Sequence, residues 1–285
     1  MSSPREGDLV ARRSHKMDVI FKIVNFFSKD DGSQHAILKG IDYRLICDAP
    51  VSDLVPVKPD EIAEYWRRVF GRNSEIIRRC LSRRNNDLRS MRNEKTLETF
   101  AVPGTVLHID GDQDYLELCL TTYKQMGVPT NAFVVSEEKQ AKTVEELLPK
   151  YLPDILVLTG HDGLLPGKRD YSDLNSYRNS PHFVAAVKAA RAFEHNRDAL
   201  VVFAGACQSH YEALLQAGAN FASSPQRVLI HAFDPVFIAE RVAYTPVSQQ
   251  VQIKDAIEHT ITSYPGIGGV ETQGRYRQGV PKSPY

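Results

Sequence analysis

Two short stretches carry the residue types of a thiol hydrolase: Thr159-Gly160-His161-Asp162-Gly163, and Gly205-Ala206-Cys207-Gln208-Ser209-His210, with 46 positions between the histidine and the first cysteine that follows it. Each follows an apolar run, ILVL before the histidine and LVVF before the cysteine. A thiol with a pKa of about 8.5 is only partly ionised at neutral pH, so a nucleophilic cysteine needs an imidazole to take or stabilise its proton. Small residues flank both candidates, Gly160 and Gly163 around His161, Gly205 and Ala206 before Cys207, and a substrate backbone needs that space. The backbone amides of Gly163 and Cys207 are candidates for an oxyanion hole. A helix beginning at Gln208 or Ser209 would put Cys207 at its N-terminus, where the macrodipole favours a thiolate. His210 competes as the base, but it would point along that helix away from the strand end and ranks second. Either residue alone has a bland reading, a small buried cysteine or a satisfied structural histidine. The pairing tips the balance to catalysis. Cys47, Cys80 and Cys119 read as structural, Cys119 lying on the apolar face of a helix.

The elements that must position this pair begin near Val102, where apolar runs alternate with amphipathic segments in the manner of βαβ units. Strands are expected at 105–109, 131–135, 154–159, 199–204 and 227–231, with helices at 113–126, 144–151, 181–195, 209–217 and 235–242. ILVLT and LVVFA are apolar throughout, as strands covered by helices on both faces should be. The fold class is therefore α/β, a doubly wound and mostly parallel sheet over residues 102–285. In such sheets the chemistry lies at the carboxyl ends of the strands, where His161 and Cys207 can meet despite their separation in sequence.

Residues 1–58 differ in kind: short β-rich runs broken by turn residues, GDLVARR, MDVIFKIVNFF, QHAILKG and IDYRLICDAP, read as a small SH3-like β-barrel. Residues 59–101 form an Arg-rich helical connector, with arginines at 67, 68, 72, 78, 79, 83, 84, 89 and 92. A solvated helix face is its simplest reading, and a nucleic-acid arm a weaker one. Lys plus Arg equals Asp plus Glu at 35 each, which removes any overall charge argument for nucleic acid or an anionic membrane. The N-terminus lacks the apolar core of a secretory signal, and no stretch approaches a membrane span, so cytoplasmic synthesis is expected. Four scattered cysteines suit free thiols rather than a disulfide framework. Neither a metal cluster nor a phosphate-binding loop is evident, so no cofactor is expected, and the glycine-rich GIGGV and GRYRQG read as a closing loop.

An apolar strand leading to His-Asp-Gly, and another leading to Ala-Cys, resembles the caspase, legumain and clostripain clan of cysteine peptidases, which implies a caspase-like sheet. Longer blocks, GDLVARRSHKMDVIFKI, HIDGDQDYLELCL, PDILVLTGHDG, FAGACQSHYEALLQAGANFASSPQRVLIHAFDPV and GIGGVETQGRYRQGVP, are similar to the YabG family of sporulation-specific cysteine proteases. That resemblance implies synthesis in the mother cell of a sporulating bacterium, association with the spore coat, coat and germination-related proteins as substrates, and cleavage after arginine, with Cys207 as nucleophile and His161 as base. An arginine-binding pocket needs a carboxylate, since a guanidinium is best held by bidentate pairing. Clostripain-like enzymes place an Asp two residues before the cysteine, where this chain has Gly205. Asp110, Asp112 and Asp234, at expected strand ends, are the candidates, with Asp110 or Asp112 preferred, and Ser223 and Ser224 are candidate pocket walls. Asp162 is read as an orienting or solvent-facing group. Preference for arginine would also make the connector a place for self-processing, between Arg67 and Arg92. The rival readings are another thiol hydrolase of the amidotransferase type, whose Gly-x-Cys-x-Gly elbow is incomplete here, and a non-enzymatic coat-assembly module.

Overall fold

A computed structural model describes residues 4–91 and 99–283. The chain divides into two compact units, Met1–Arg72 and Asn73–Tyr285. In the first, five strands, β1 (Leu9–Arg12), β2 (Ile20–Ser28), β3 (Gln34–Gly40), β4 (Ile46–Pro50) and β5 (Leu54–Pro56), pair antiparallel in the order β4-β3-β2-β1-β5. Along β2, Phe21 and Ile23 are buried on one face while Lys22 between them is exposed, which gives the sheet an apolar face. The ladders leave β4 and β5 as edges of an open sheet; they do not record the ring of a closed barrel.

Helix α1 (Pro59–Met91) passes from the first unit into the second. Its second part is not a solvated face. Asn73, Ile76, Ile77 and Cys80 recur at helical spacing and are all buried in the second unit, and burial pushes the Cys80 thiol up to about 12. Arg83 pairs at 3.0 Å with Glu240, a fully buried carboxylate, while Arg84 donates to the Met126 carbonyl at 2.8 Å and lies over the Tyr244 ring. The arginines of this half are anchors as well as surface charge. Arg92 and the side chain of Arg89 lie outside the described residues.

The second unit continues through β6 (Phe100–Val102), β7 (Val106–Asp110), α2 (Gln113–Met126), β8 (Thr130–Val134), α3 (Glu137–Tyr151), β9 (Ile155–Thr159), α4 (Ser180–Phe193), β10 (Val201–Ala204), α5 (Tyr211–Ala217), β11 (Phe221–Ser223), α6 (Asp234–Tyr244), α7 (Ile253–Glu258), α8 (Ser263–Gly266), β12 (Ile267–Gly269) and β13 (Arg277–Gly279). Six strands form the main sheet in the order β12-β11-β10-β9-β7-β8; the pairings from β8 to β11 are parallel and that of β12 is antiparallel. One face of β7, β9 and β10, including Leu107, Ile109, Leu156, Leu158 and Val202, packs on Val144, Leu148, Phe183 and Val187 of α3 and α4. Helices α2 and α6 pack together, α2 against β7 and α6 against β9 and β10. After β7 the chain goes outward to β8 and then returns to the opposite side of β7 as β9, so the order reverses between β7 and β9. A crevice at the carboxyl ends of strands forms at such a reversal.

Two expectations are corrected here. RVLIH is not a strand: Ser224 and Arg227 take left-handed φ of 64° and 56°, Pro225 interrupts the backbone donors, and β11 precedes this segment at Phe221–Ser223. GIGGV is not a closing loop: Ile267–Gly269 is the antiparallel edge strand, and a Cβ at Gly269 would press on the Phe221 ring. Part of GRYRQG is likewise ordered, since Arg277–Gly279 pairs with β6. Among the described residues, no helix is long and apolar enough to cross a membrane.

Candidate active site

His161 leaves the end of β9 on the first residues of a loop, beside the end of β7, where the strand order reverses. Its ring is 11% exposed and sits between two carboxylates, Nε2 at 3.4 Å from Asp112 Oδ2 and Nδ1 at 3.5 Å from Glu137 Oε1. The Tyr115 ring packs against it at 5.4 Å between centroids. Burial works against a charged imidazole, but the contacts with Asp112 and Glu137 outweigh it and hold the His161 pKa above its ordinary value. Nε2 has no formed hydrogen bond among the described residues, the 3.4 Å to Asp112 being an ion-pair contact.

Asp112 is the N-cap of α2: its Oδ1 accepts from the Asp114 and Tyr115 amides, which leaves Oδ2 turned to the histidine. Glu137 is the first residue of α3, and its Oε1 also accepts from the His161 backbone N–H at 2.7 Å. Burial raises the Glu137 carboxyl, yet the His161 side chain and amide together hold it below its ordinary value. Sequence reasoning missed Glu137, which lies before the helix expected at 144–151; α3 begins earlier, at Glu137 itself. A weak signal existed in Gly111 and Gly160, because a Cβ at either would overlap the Glu137 carboxylate.

Cys207 follows β10 through Gly205, whose φ of 110° and 2.9 Å approach of a Cβ to Leu214 Cδ1 restrict the position to glycine. Gln208, with φ of 56°, completes a sharp turn in a conformation unfavourable for its type. The thiol is fully buried; Sγ accepts from the Ile230 amide at 3.2 Å and contacts the Ile230 carbonyl at 3.6 Å. The segment expected as a strand therefore forms the wall facing the cysteine. The helix starts later than expected, at Tyr211 rather than 208 or 209, so its N-terminus does not lie at Cys207. His210 is its N-cap: Nδ1 accepts from Ala213 N, and Nε2 donates to the Ser172 carbonyl at 3.0 Å. Both of its nitrogens are thus engaged away from the thiol.

Asp162 links the two loops. Buried between them, it accepts from the amides of Gly163 and Asn179, from the Ser180 hydroxyl, and at 2.8 Å from the hydroxyl of Ser209, two residues past Cys207. Ser209 Oγ in turn accepts from the Ala206 amide at 2.9 Å. A histidine's neighbour and a cysteine's neighbour are thus joined directly across adjacent parallel strands, β9 and β10. Burial raises the Asp162 carboxyl in spite of its donors. The chain matches the family described as "YabG peptidase U57" over residues 5–281. It is 43% identical to the sporulation-specific protease YabG of Bacillus subtilis (strain 168), over 96% of this chain and 97% of that protein.

The chain belongs to the YabG peptidase family.

It is thus a protease of a sporulation-specific family. No solved structure matches the chain. The remaining candidate residues of this YabG-family peptidase are placed unevenly. Asp110 is fully buried below the crevice, accepting from the Asp112 amide and the Thr159 hydroxyl, with His108 Nε2 3.5 Å away. Asp234, also fully buried, accepts from the amides of His231 and Ile261 and from the Thr262 hydroxyl, which fastens the start of α6. Ser223 is buried in β11; Ser224 accepts from Gln208 N and donates to the Val228 carbonyl, bracing the turn after Cys207. The Gly163 amide is engaged with Asp162 Oδ1. Of the three candidate aspartates, Asp112 is the one in contact with His161.

Proposed function

We propose that this YabG-family protease is a cysteine endopeptidase with Cys207 as nucleophile and His161 as general base. The observation that supports it most is the Ser209 to Asp162 hydrogen bond, which ties the loop of the thiol to the loop of the imidazole at neighbouring strand ends. In the reaction, the Cys207 proton passes to His161 and the thiolate attacks the scissile carbonyl carbon. The C–N bond breaks as the imidazolium protonates the leaving amine, which leaves a thioester. Water then adds to the thioester carbonyl, giving its proton to His161, and the C–S bond breaks to return the thiol and release the new carboxyl end. Ile230 must withdraw from Sγ for a substrate carbonyl to reach it, because the thiol is covered at rest.

The finer reading has three parts. Residues 102–285 form a caspase-like peptidase domain preceded by an SH3-like module and the helical connector. The substrates are spore-coat and germination-related proteins, met in the mother cell and cut after arginine, with Asp112 as the carboxylate placed nearest to the base to receive the guanidinium. Self-processing lies between Arg67 and Arg92, where helix α1 must unwind before any bond within it can enter a cleft that takes extended chain. An amidotransferase-type elbow is disfavoured, since Ser209 stands at the second glycine position and its hydroxyl is committed to Asp162.

The test is hydrolysis of peptides carrying Arg, Lys or Ala before the cleaved bond. Cys207→Ala and His161→Ala should each lower kcat/KM for the Arg peptide by more than about 1,000-fold. Asp112→Asn should narrow the ratio of Arg to Ala cleavage. Wild-type rates in Cys207→Ala would sink the assignment of the nucleophile, and an intact Cys207→Ala chain beside a fragmenting wild type would support self-processing.

A further inference from the structure

Around His161 the sequence offers one carboxylate by the strand-end pattern, Asp112, but the fold brings a second from a helix that the chemistry had not involved. Glu137 Oε1 bonds the His161 backbone amide at 2.7 Å and meets Nδ1 of the same residue at 3.5 Å, so one carboxylate oxygen grips both the backbone and the ring. The backbone bond holds the carboxylate in place and the ion pair draws Nδ1 towards it, so the imidazole cannot turn away without losing the second contact. The site is built for it: Gly111 and Gly160, one from each flanking strand end, leave the volume that the carboxylate fills. On the other side of the ring, Nε2 is buried and faces Asp112 Oδ2 at 3.4 Å without a formed hydrogen bond, so it is the ring nitrogen that Glu137 does not engage.

We propose that Glu137 is a positioning residue for catalysis, holding His161 by its amide and Nδ1 so that Nε2 serves the thiol and the leaving amine. The inference rests on the reading of Cys207 and His161 as a dyad. Glu137 touches neither substrate nor sulfur; it acts through the histidine. Its negative charge favours the imidazolium, and with it the thiolate–imidazolium pair that attacks. The ionisable groups facing the ring are Glu137 from α3, Asp112 from the start of α2 and the Tyr115 ring from the first turn of α2. Asp162, next in sequence, directs its carboxylate to the Ser180 and Ser209 hydroxyls.

Glu137→Gln separates charge from placement, since its amide oxygen still accepts from the His161 backbone. In the full chain, the alkaline limb of the kcat/KM profile, where the imidazolium is lost, should move down by about one pH unit. The fall in kcat should be at least about tenfold. Imidazole NMR of His161 in a Cys207→Ala background gives a readout apart from turnover, and Glu137→Gln should lower the midpoint by the same amount. Glu137→Ala, which also strands the amide, should fall further in kcat than Glu137→Gln, while Glu137→Asp should recover part of the alkaline limb. An unshifted limb and an unshifted NMR midpoint in Glu137→Gln, with Cys207→Ala and His161→Ala both inactive, overturn this inference and leave the dyad standing. Activity retained in Cys207→Ala overturns both.

Discussion

Asp162 shows how one buried side chain can hold several loop segments together. It accepts two amides and two hydroxyls from three separate segments. Replacing it with Ala leaves all four donors without that acceptor in a buried place, so Asp162→Ala should lose at least about 3 kcal/mol of stability by denaturant unfolding. Ser209→Ala is gentler, about 2 kcal/mol, and should reduce kcat because the bond between the two loops is lost together with the one that Ser209 Oγ accepts from the Ala206 amide. The pair of Glu137 and His161 also gives stability a pH dependence. The Glu137 carboxyl is depressed on folding, so its contribution is present above its unfolded value of about 4.5 and lost as pH falls through the folded value. His161 is raised, so its contribution is complete below about 6.5 and is lost as pH rises through the folded value. Thermal midpoints of wild type should therefore exceed those of His161→Ala by the widest margin in the mildly acidic range between these limits, and the margin should shrink on either side. His161 and Cys207 were legible as residue types at the ends of apolar strands. Glu137 was not, because the polar EEKQAK lies before the apolar positions that marked a helix at 144–151, and a glutamate there has the same signature whether it faces water or a buried histidine.

The elements explain which parts of the fold were legible. Strands β9 and β10 are covered on both faces, so they read as unbroken apolar runs, while β7 is equally buried but carries His108 and Asp110. β11 and β12 are three residues each; one was eclipsed by the more β-prone RVLIH beside it, and the other is mostly glycine because side chains from β11 and α5 occupy its Cβ positions. Helix α1 was recognised, but its arginines were weighed as a solvated set, and charge alone does not show that Glu240 is waiting to pair with Arg83 inside the second unit. Burial raises the Glu240 carboxyl, and the nearby arginines oppose this. Arg83→Met should cost about 3 kcal/mol by leaving that carboxylate unpaired, and the double change Arg83→Met with Glu240→Met should recover much of it. Equal stability of wild type and Arg83→Met in urea unfolding would show that the pair contributes nothing.

At the scale of the whole molecule, the division between Arg72 and Asn73 makes a prediction about truncation. A chain beginning at Asn73 keeps the buried stripe of Ile76, Ile77 and Cys80 and should fold and melt cooperatively. One beginning at Thr99 keeps the whole six-stranded sheet but loses that stripe and the Arg83 partner, and should be far less stable or insoluble. Comparable melting of the two fragments would show that α1 is dispensable to the second unit. The backbone of Ile230 across Cys207 has a consequence for the lifetime of the enzyme. Alkylating agents and peroxide consume a thiol they can reach as thiolate, and the sulfur of the proposed nucleophile is buried while Cys47, alone of the four cysteines, is partly exposed. Brief iodoacetamide treatment of the resting protein should label Cys47 first, with Cys207 following only as the wall opens. Under the proposed assignment, a thiol kept under cover between turnovers can wait for its substrate without being spent on oxidants.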